Sequence, residues 1–220
     1  MSKKTVVFDI IGTCFSLEKP RQQLIKFDAP HHALELWFAQ ALRDAFAFSH
    51  AGGYQPLKEI LQAQLPRTLQ TLGVKLDNDQ RSQVMDTLGE LELQPSALAA
   101  FQELTASGWQ ILALTNGSKD ATHKLLQRSQ VEQYFTEVYS CDAITLTKPH
   151  PHVYQMIPTD SLENVWLVAA HAWDIAGAIQ VGMKTAFVSQ LEKSYLDIYP
   201  QPQIMANNLL EAAQKIVQAA

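Results

Sequence analysis

The chain contains two cysteines, Cys14 and Cys141, in 220 residues. That is too few for a disulfide framework, and both fit buried free thiols beside strand ends. Its seven histidines form no cluster with cysteine that would build a structural zinc site. Long apolar runs are also missing: Val6 to Phe8 and Val165 to Ala170 are strand-sized and far short of a membrane span. Met1-Ser2-Lys3-Lys4 leads straight into a strand pattern with no apolar leader, so a cytoplasmic protein with no membrane partner is expected. Basic residues are not in excess. Lys and Arg number 17 against 22 Asp and Glu, a net charge of -5 with no basic stripe, which argues against nucleic acid as a partner. Internal repeats and low-complexity tracts are absent.

What is present is a globular composition, 47% hydrophobic and 18% charged, on a chain long enough to bury a full core. Strand-like runs recur at Val6 to Ile10, Ile111 to Thr115, Val138 to Cys141, Val165 to Ala170 and Thr185 to Val188. Helical patterns at Ser96 to Ala106, Lys119 to Arg128, Asp174 to Val181 and Asn208 to Ala219 fall between or after the later ones. Such alternation predicts an α/β fold, a doubly wound parallel sheet covered on both faces.

Residues 16–94 have a different texture, rich in Leu, Gln and Ala without strand alternation. They read as a helical cap inserted after the first strand, leaving residues 1–15 and 95–220 as the core. A helix opening at Asp28-Ala29-Pro30 carries Leu34, Trp37, Phe38, Ala41, Ala45 and Phe48 on one face and ends at Gly52-Gly53. Further helices are expected from Pro56 to Leu72, kinked or broken at Pro66, and from Asn78 to Leu88. Placed there, the insertion overhangs the active edge of the sheet, where it excludes water and shapes a pocket.

Four segments carry groups suited to chemistry. Val6-Val7-Phe8-Asp9-Ile10-Ile11-Gly12-Thr13 brings a carboxylate to a strand's carboxyl end, the side on which open α/β sheets bind ligands. Leu114-Thr115-Asn116-Gly117-Ser118 ends another strand in polar groups, Lys148-Pro149 supplies a cation followed by Val153-Tyr154, and His171-Ala172-Trp173-Asp174 follows a third strand. Each has a plain alternative. Asp9 fits a turn, Lys148 a solvated surface, Asp174 a helix N-cap, and Trp173 and Tyr154 ordinary packing. Thr13 and Ser118 also fit loop and cap roles. The other histidines, His31, His32, His50, His123, His150 and His152, read as surface or loop residues.

Together the four segments, in this order and with a helical insertion after the first, resemble the haloacid dehalogenase superfamily, and within it the type II 2-haloacid dehalogenases. The resemblance spans the whole chain. It implies a Rossmann-like core, with Asp9 as a nucleophile that forms an ester while halide leaves. It implies that Lys148 keeps Asp9 ionised, and that Asp174 orients Lys148 or positions the attacking water. Thr13, Thr115, Asn116, Tyr154, His171 and Trp173 are then expected around a small organic acid substrate. His171 stands where better-known members have asparagine. The resemblance also makes a homodimer unsurprising.

Besides His171, other positions depart from the patterns of the superfamily. A phosphatase of this superfamily carries a second aspartate two positions beyond the nucleophile, where this chain has Ile11, and further acidity to hold magnesium where it has Ala169-Ala170. Losing general acid-base help typically costs about 10² to 10⁴ in rate, which weighs against phosphate transfer; halide leaves without a proton. The dehalogenase cap carries a Trp-Leu-Arg sequence whose arginine binds substrate and halide, and here Trp37-Phe38-Ala39 stands in its place. Arg43 and Arg21 are the nearby substitutes. The readings are therefore a cofactor-free dehalogenase-like hydrolase, a magnesium-dependent phosphohydrolase, and a non-catalytic binding protein that retains the fold.

Overall fold

The computed structural model describes residues 4–219. Met1, Ser2, Lys3 and Ala220, which the leader reading and the expected core boundaries include, lie outside the described residues. Thr5–Phe8 forms β1, a β-branched and aromatic strand buried at every position. A strand reads this way when both faces of its sheet are covered. Gly12 turns the chain at a φ of 85° and delivers the short β2, Phe15–Ser16. Four helices follow: α1 (Glu18–Lys26), α2 (Ala33–His50), α3 (Leu57–Thr71) and α4 (Asn78–Asp86). The chain returns through β3, Glu92–Leu93, which pairs antiparallel with β2.

Thereafter helix and strand alternate as α5 (Ala97–Ala106), β4 (Gln110–Thr115), α6 (Lys119–Arg128), β5 (Phe135–Ser140), α7 (Pro151–Tyr154) and β6 (Val165–Ala169). The chain ends with α8 (Ala172–Gln180), β7 (Lys184–Val188), β8 (Ile204–Ala206) and α9 (Leu209–Gln218). Six strands form one parallel sheet in the order β5-β4-β1-β6-β7-β8. The direction of winding reverses at β1, the position at which such sheets open a ligand crevice.

Local chemistry starts several helices. The Ser118 hydroxyl accepts the Ala121 N–H, Asn208 accepts that of Glu211, and Asp77 forms a reciprocal capping box with Gln80. Alternation along β1 then divides the interior. Val6 and Phe8 join one apolar cluster that continues through Phe101 of α5 and Ile216 of α9 into Leu34, Trp37 and Leu61 of the cap helices. Val7 faces the other cluster, with Leu167, Val153 of α7 and Ile175 of α8. Among the described residues, no helix is long and apolar enough to cross a membrane.

Several expected boundaries move. The helix expected to open at Asp28-Ala29-Pro30 begins at Ala33, because Asp28 takes a left-handed φ of 60° that interrupts the chain after α1. Pro66 does not break α3; Leu61, Leu65 and Leu69 are buried on both sides of it, and packing holds the helix together despite the missing N–H. Phe48 is 44% exposed, since the buried stripe of α2 runs from Ala45 to Ser49 and passes it by. The helix from Asn78 stops at Asp86, and Thr87–Gly89 tightens into a 3-10 turn. The elements α1, β2, β3, α7 and β8 had no counterpart in the sequence reading.

Candidate active site

The carboxyl ends of β4, β1 and β6 lie side by side, so the residues that follow them share one rim. Asp9 comes directly after β1, and its N–H donates to the Val168 carbonyl at 3.0 Å, which ties the residue to β6. Its side chain is buried. Lys148 Nζ donates to Asp9 Oδ1 at 2.7 Å and the Thr13 hydroxyl donates to Oδ2 at 2.6 Å. Burial alone would raise the Asp9 pKa, but the charge of Lys148, then that of His171, and the two hydrogen bonds outweigh it and hold the carboxyl below its ordinary range. The result is an ionised carboxylate with almost no access to bulk water.

Lys148 is completely buried, far from the solvated surface position of the plain alternative. Besides Asp9, it donates to Asp174 Oδ2 at 2.6 Å and to the Leu114 carbonyl at 3.1 Å, which uses all three of its protons. Burial opposes its charge, and the two carboxylates more than compensate, so its pKa lies above the usual lysine value. Asp174 sits in the first turn of α8 but is not its cap. Its Oδ1 accepts from the Tyr154 hydroxyl at 2.7 Å, so both oxygens are committed, and burial together with Asp9 pushes its pKa up.

Thr13 and Tyr154, expected at the substrate, are fully buried and do not line the cavity over Asp9. Thr13 spends its hydroxyl on Asp9 and on the Ala170 N–H at 2.8 Å, and is fully buried. Tyr154 packs against Gly177, where an added Cβ would lie 2.5 Å from the tyrosine oxygen. Its role is to hold Asp174. Thr115, Asn116, His171 and Trp173 do reach the cavity over Asp9. Asn116 Oδ1 accepts from the Lys148 N–H and the Cys141 thiol, both at 3.0 Å, which leaves its NH₂ as the donor free for a ligand. Thr115 Oγ1 accepts the Gly117 N–H at 3.0 Å and keeps its own proton to give. Cys14 and Cys141 are free and buried; burial pushes the Cys141 thiol up to about 12.

The space over Asp9 measures about 10 Å³, with apolar walls from Ile11, Phe38, Leu42, Leu57 and Trp173. Phe38, Leu42, His171 and Trp173 also border a wider cavity of about 810 Å³ between α2 and the loop after β7. Ala39, Arg43 and Arg21 line only this outer space. Arg43 pairs with Asp44 at 2.7 Å, and Arg21 with Glu35 at 2.6 Å and Glu18 at 3.0 Å, so neither guanidinium reaches the cavity over Asp9.

Glu192, in the loop after β7, was missed by the sequence reading. Its Oε2 accepts the Ala172 N–H at 2.9 Å, supplying the cap that α8 lacks from its own N-cap residue, and its Oε1 lies 3.3 Å from His171 Nδ1. The one available signal was its place shortly beyond the carboxyl end of a parallel strand. Among the described residues no group of three or more His, Cys, Asp or Glu could hold a metal ion. Asp174 is occupied by Lys148 and Tyr154, and Ala169 and Ala170 offer no donor side chain, so the set does not fit magnesium.

Comparison with known proteins identifies the family and the fold. A family model described as haloacid dehalogenase-like hydrolase matches residues 3–182. The chain is 26% identical over 162 residues to (S)-2-haloacid dehalogenase 1 of Pseudomonas sp. (strain CBS-3), covering 72% of this chain and 71% of that protein. It is 26% identical over 195 residues to haloacetate dehalogenase H-2 of Moraxella sp. (strain B), covering 85% and 86%. The structure of L-2-haloacid dehalogenase from Xanthobacter autotrophicus superposes with a TM-score of 0.89 at 21% identity, over 99% of this chain and all of that one. A structure of that protein with chloropropionic acid covalently bound superposes at 0.87, with 20% identity and the same coverage. With the family match extending across most of its length, the chain belongs to the haloacid dehalogenase-like hydrolases.

Proposed function

We propose that this protein hydrolyses small 2-haloalkanoic acids, using Asp9 as the nucleophile on carbon. The observation that carries the reading is an ionised, buried Asp9 carboxylate, held by Lys148 and Thr13 under a small apolar cavity that has isoleucine where an acid would protonate an alkoxide leaving group. One Asp9 oxygen attacks the carbon bearing the halogen, the carbon–halogen bond breaks, and halide departs with the bonding pair. Water then adds to the carboxyl carbon of the resulting ester. Lys148 and Thr13 stabilise the negative charge that develops on the Asp9 oxygens. Collapse of this adduct releases a 2-hydroxy acid and a proton and restores Asp9.

The relatives' names support this class of substrate, as does the covalent chloropropionate in the Xanthobacter protein. Halide release from chloro- and bromoacetate and from both enantiomers of 2-chloropropionate, without added divalent metal, tests the reading. Release abolished by Asp9→Asn is expected. No release from the panel, with magnesium-dependent turnover of a phosphate ester instead, would overturn it.

A further inference from the structure

The inner site carries an unbalanced charge before any substrate arrives. Asp9 and Asp174 contribute two negative charges and Lys148 one positive, all fully or nearly fully buried. A haloacid adds a further carboxylate and then releases an anion. Of the residues lining the cavity over Asp9, His171 is the one that can carry positive charge.

The surroundings of His171 favour its charged form. Nε2 faces the Ile11 carbonyl at 3.2 Å and Nδ1 faces Glu192 Oε1 at 3.3 Å. A carbonyl and a carboxylate only accept, so both contacts are hydrogen bonds when each ring nitrogen carries a proton, which is the imidazolium form. Nε2 is also 4.0 Å from Asp9 Oδ2. The ring stacks on Trp173 at 5.0 Å and 24°, and lies nearly parallel to Phe38 at 6.3 Å, so aromatic faces add to the attraction for a cation. Gly12 makes room for it: a Cβ there would stand 2.9 Å from Nε2.

We propose that His171 is held as a resident imidazolium by Glu192 and the Ile11 carbonyl, and that it supplies the positive charge for the substrate's anionic group that the cap, with Ala39, does not. The proposal rests on the dehalogenase reading for the identity of the anion. Burial would lower the His171 pKa, but Glu192, Asp9 and Asp174 outweigh it and raise the value above the ordinary one. Of the other charged groups around it, Lys148 is directed at the two aspartates. From the cap, Arg21 and Glu35 face the outer cavity as a pair and Arg43 is bound to Asp44; Lys193, next to Glu192, also lines that cavity.

Nitrogen-15 NMR of histidine-labelled protein reads the ring directly, with the signal assigned by its loss in His171→Asn. At pH 7.5 both ring nitrogens of His171 are expected to be protonated, and titration with acetate, a non-reacting carboxylate, is expected to shift them. In steady-state kinetics, Glu192→Gln is expected to move the alkaline limb of kcat/KM for 2-chloropropionate down by about one pH unit, as loss of a neighbouring charge does. His171→Asn is expected to raise KM more than tenfold with a smaller change in kcat. A neutral ring at pH 7.5, or an alkaline limb unmoved by Glu192→Gln in a folded protein, would overturn the proposal. Absence of halide release would sink the dehalogenase reading alone, because the NMR spectrum and the acetate titration need no turnover.

Discussion

Lys148 is the residue on which the site's electrostatics turn, because it sits 2.7 Å from one buried carboxylate and 2.6 Å from another. Replacing it with methionine keeps most of the volume and leaves Asp9 and Asp174 facing each other uncompensated. Removing one partner of a buried pair typically costs about 3 to 5 kcal/mol, and Lys148→Met is expected to fall in that range by urea denaturation at pH 7.5, with halide release lost. Linkage gives the signs with pH. Asp9 has its pKa lowered on folding, so its contribution is present at neutral pH and disappears as pH falls through its folded-state pKa. His171 has its pKa raised, so its contribution is complete below its unfolded value of about 6.5 and is lost as pH rises through the folded value. The stability gap between the native protein and His171→Asn is therefore expected to narrow on the alkaline side, measured by urea denaturation across pH 6 to 10. Asp9, Thr115, Asn116, His171, Trp173 and Asp174 stand at or shortly beyond strand ends, which the sequence pattern shows, whereas Lys148 was brought to them by the family resemblance alone. Glu192 was legible in neither way. It meets His171 across 21 residues of chain, and no local spacing announces such a contact.

At the level of elements, legibility followed burial on a regular period. Strands β1, β4 and β6 are nearly continuous apolar runs, and their neighbours α6 and α9 carry clear starting caps. By contrast, α1 buries only Pro20 and Leu24 among its nine residues, and β8 has three residues with its middle one exposed. Neither pattern stands out from a loop. Pro66 leaves α3 unbroken: proline disfavours a helix interior by about 3 kcal/mol relative to alanine, yet the buried leucines around it hold the helix together. Pro66→Ala is therefore expected to stabilise the protein by about 1 to 3 kcal/mol, seen as a raised Tm by calorimetry; a lowered Tm would mean the proline ring packs better than its backbone cost. The contact of α7 with α8 is expected to respond in the opposite direction. Gly177→Ala puts a methyl within 2.5 Å of the Tyr154 oxygen, which must leave Asp174, so a loss of about 1 to 3 kcal/mol is expected together with reduced kcat.

Across the whole molecule, the cap is joined to the core by more than the β2–β3 ribbon. One apolar cluster runs from Val6 and Phe8 of β1 through Phe15, Leu24 and Leu34 to Trp37 and Leu61. Trp37 is fully buried and donates its indole N–H to the Leu61 carbonyl at 2.8 Å, which locks α2 to α3 within that cluster. Unfolding the cap by itself would expose apolar surface on the sheet as well as on the helices, at about 25 cal/mol per Å². Cap and core are consequently expected to unfold in one cooperative step. The test compares denaturation followed by far-UV circular dichroism with denaturation followed by the fluorescence of Trp37, isolated as the difference between the native protein and Trp37→Phe. Coincident midpoints are expected, and a Trp37 signal lost at lower denaturant would show that the cap opens independently. Cooperative closure also bears on catalysis. The walls over Asp9 combine Phe38, Leu42 and Leu57 from the helices between β2 and β3 with Ile11 and Trp173 from the sheet side, so the enclosed apolar setting of Asp9 exists only while both parts are folded together.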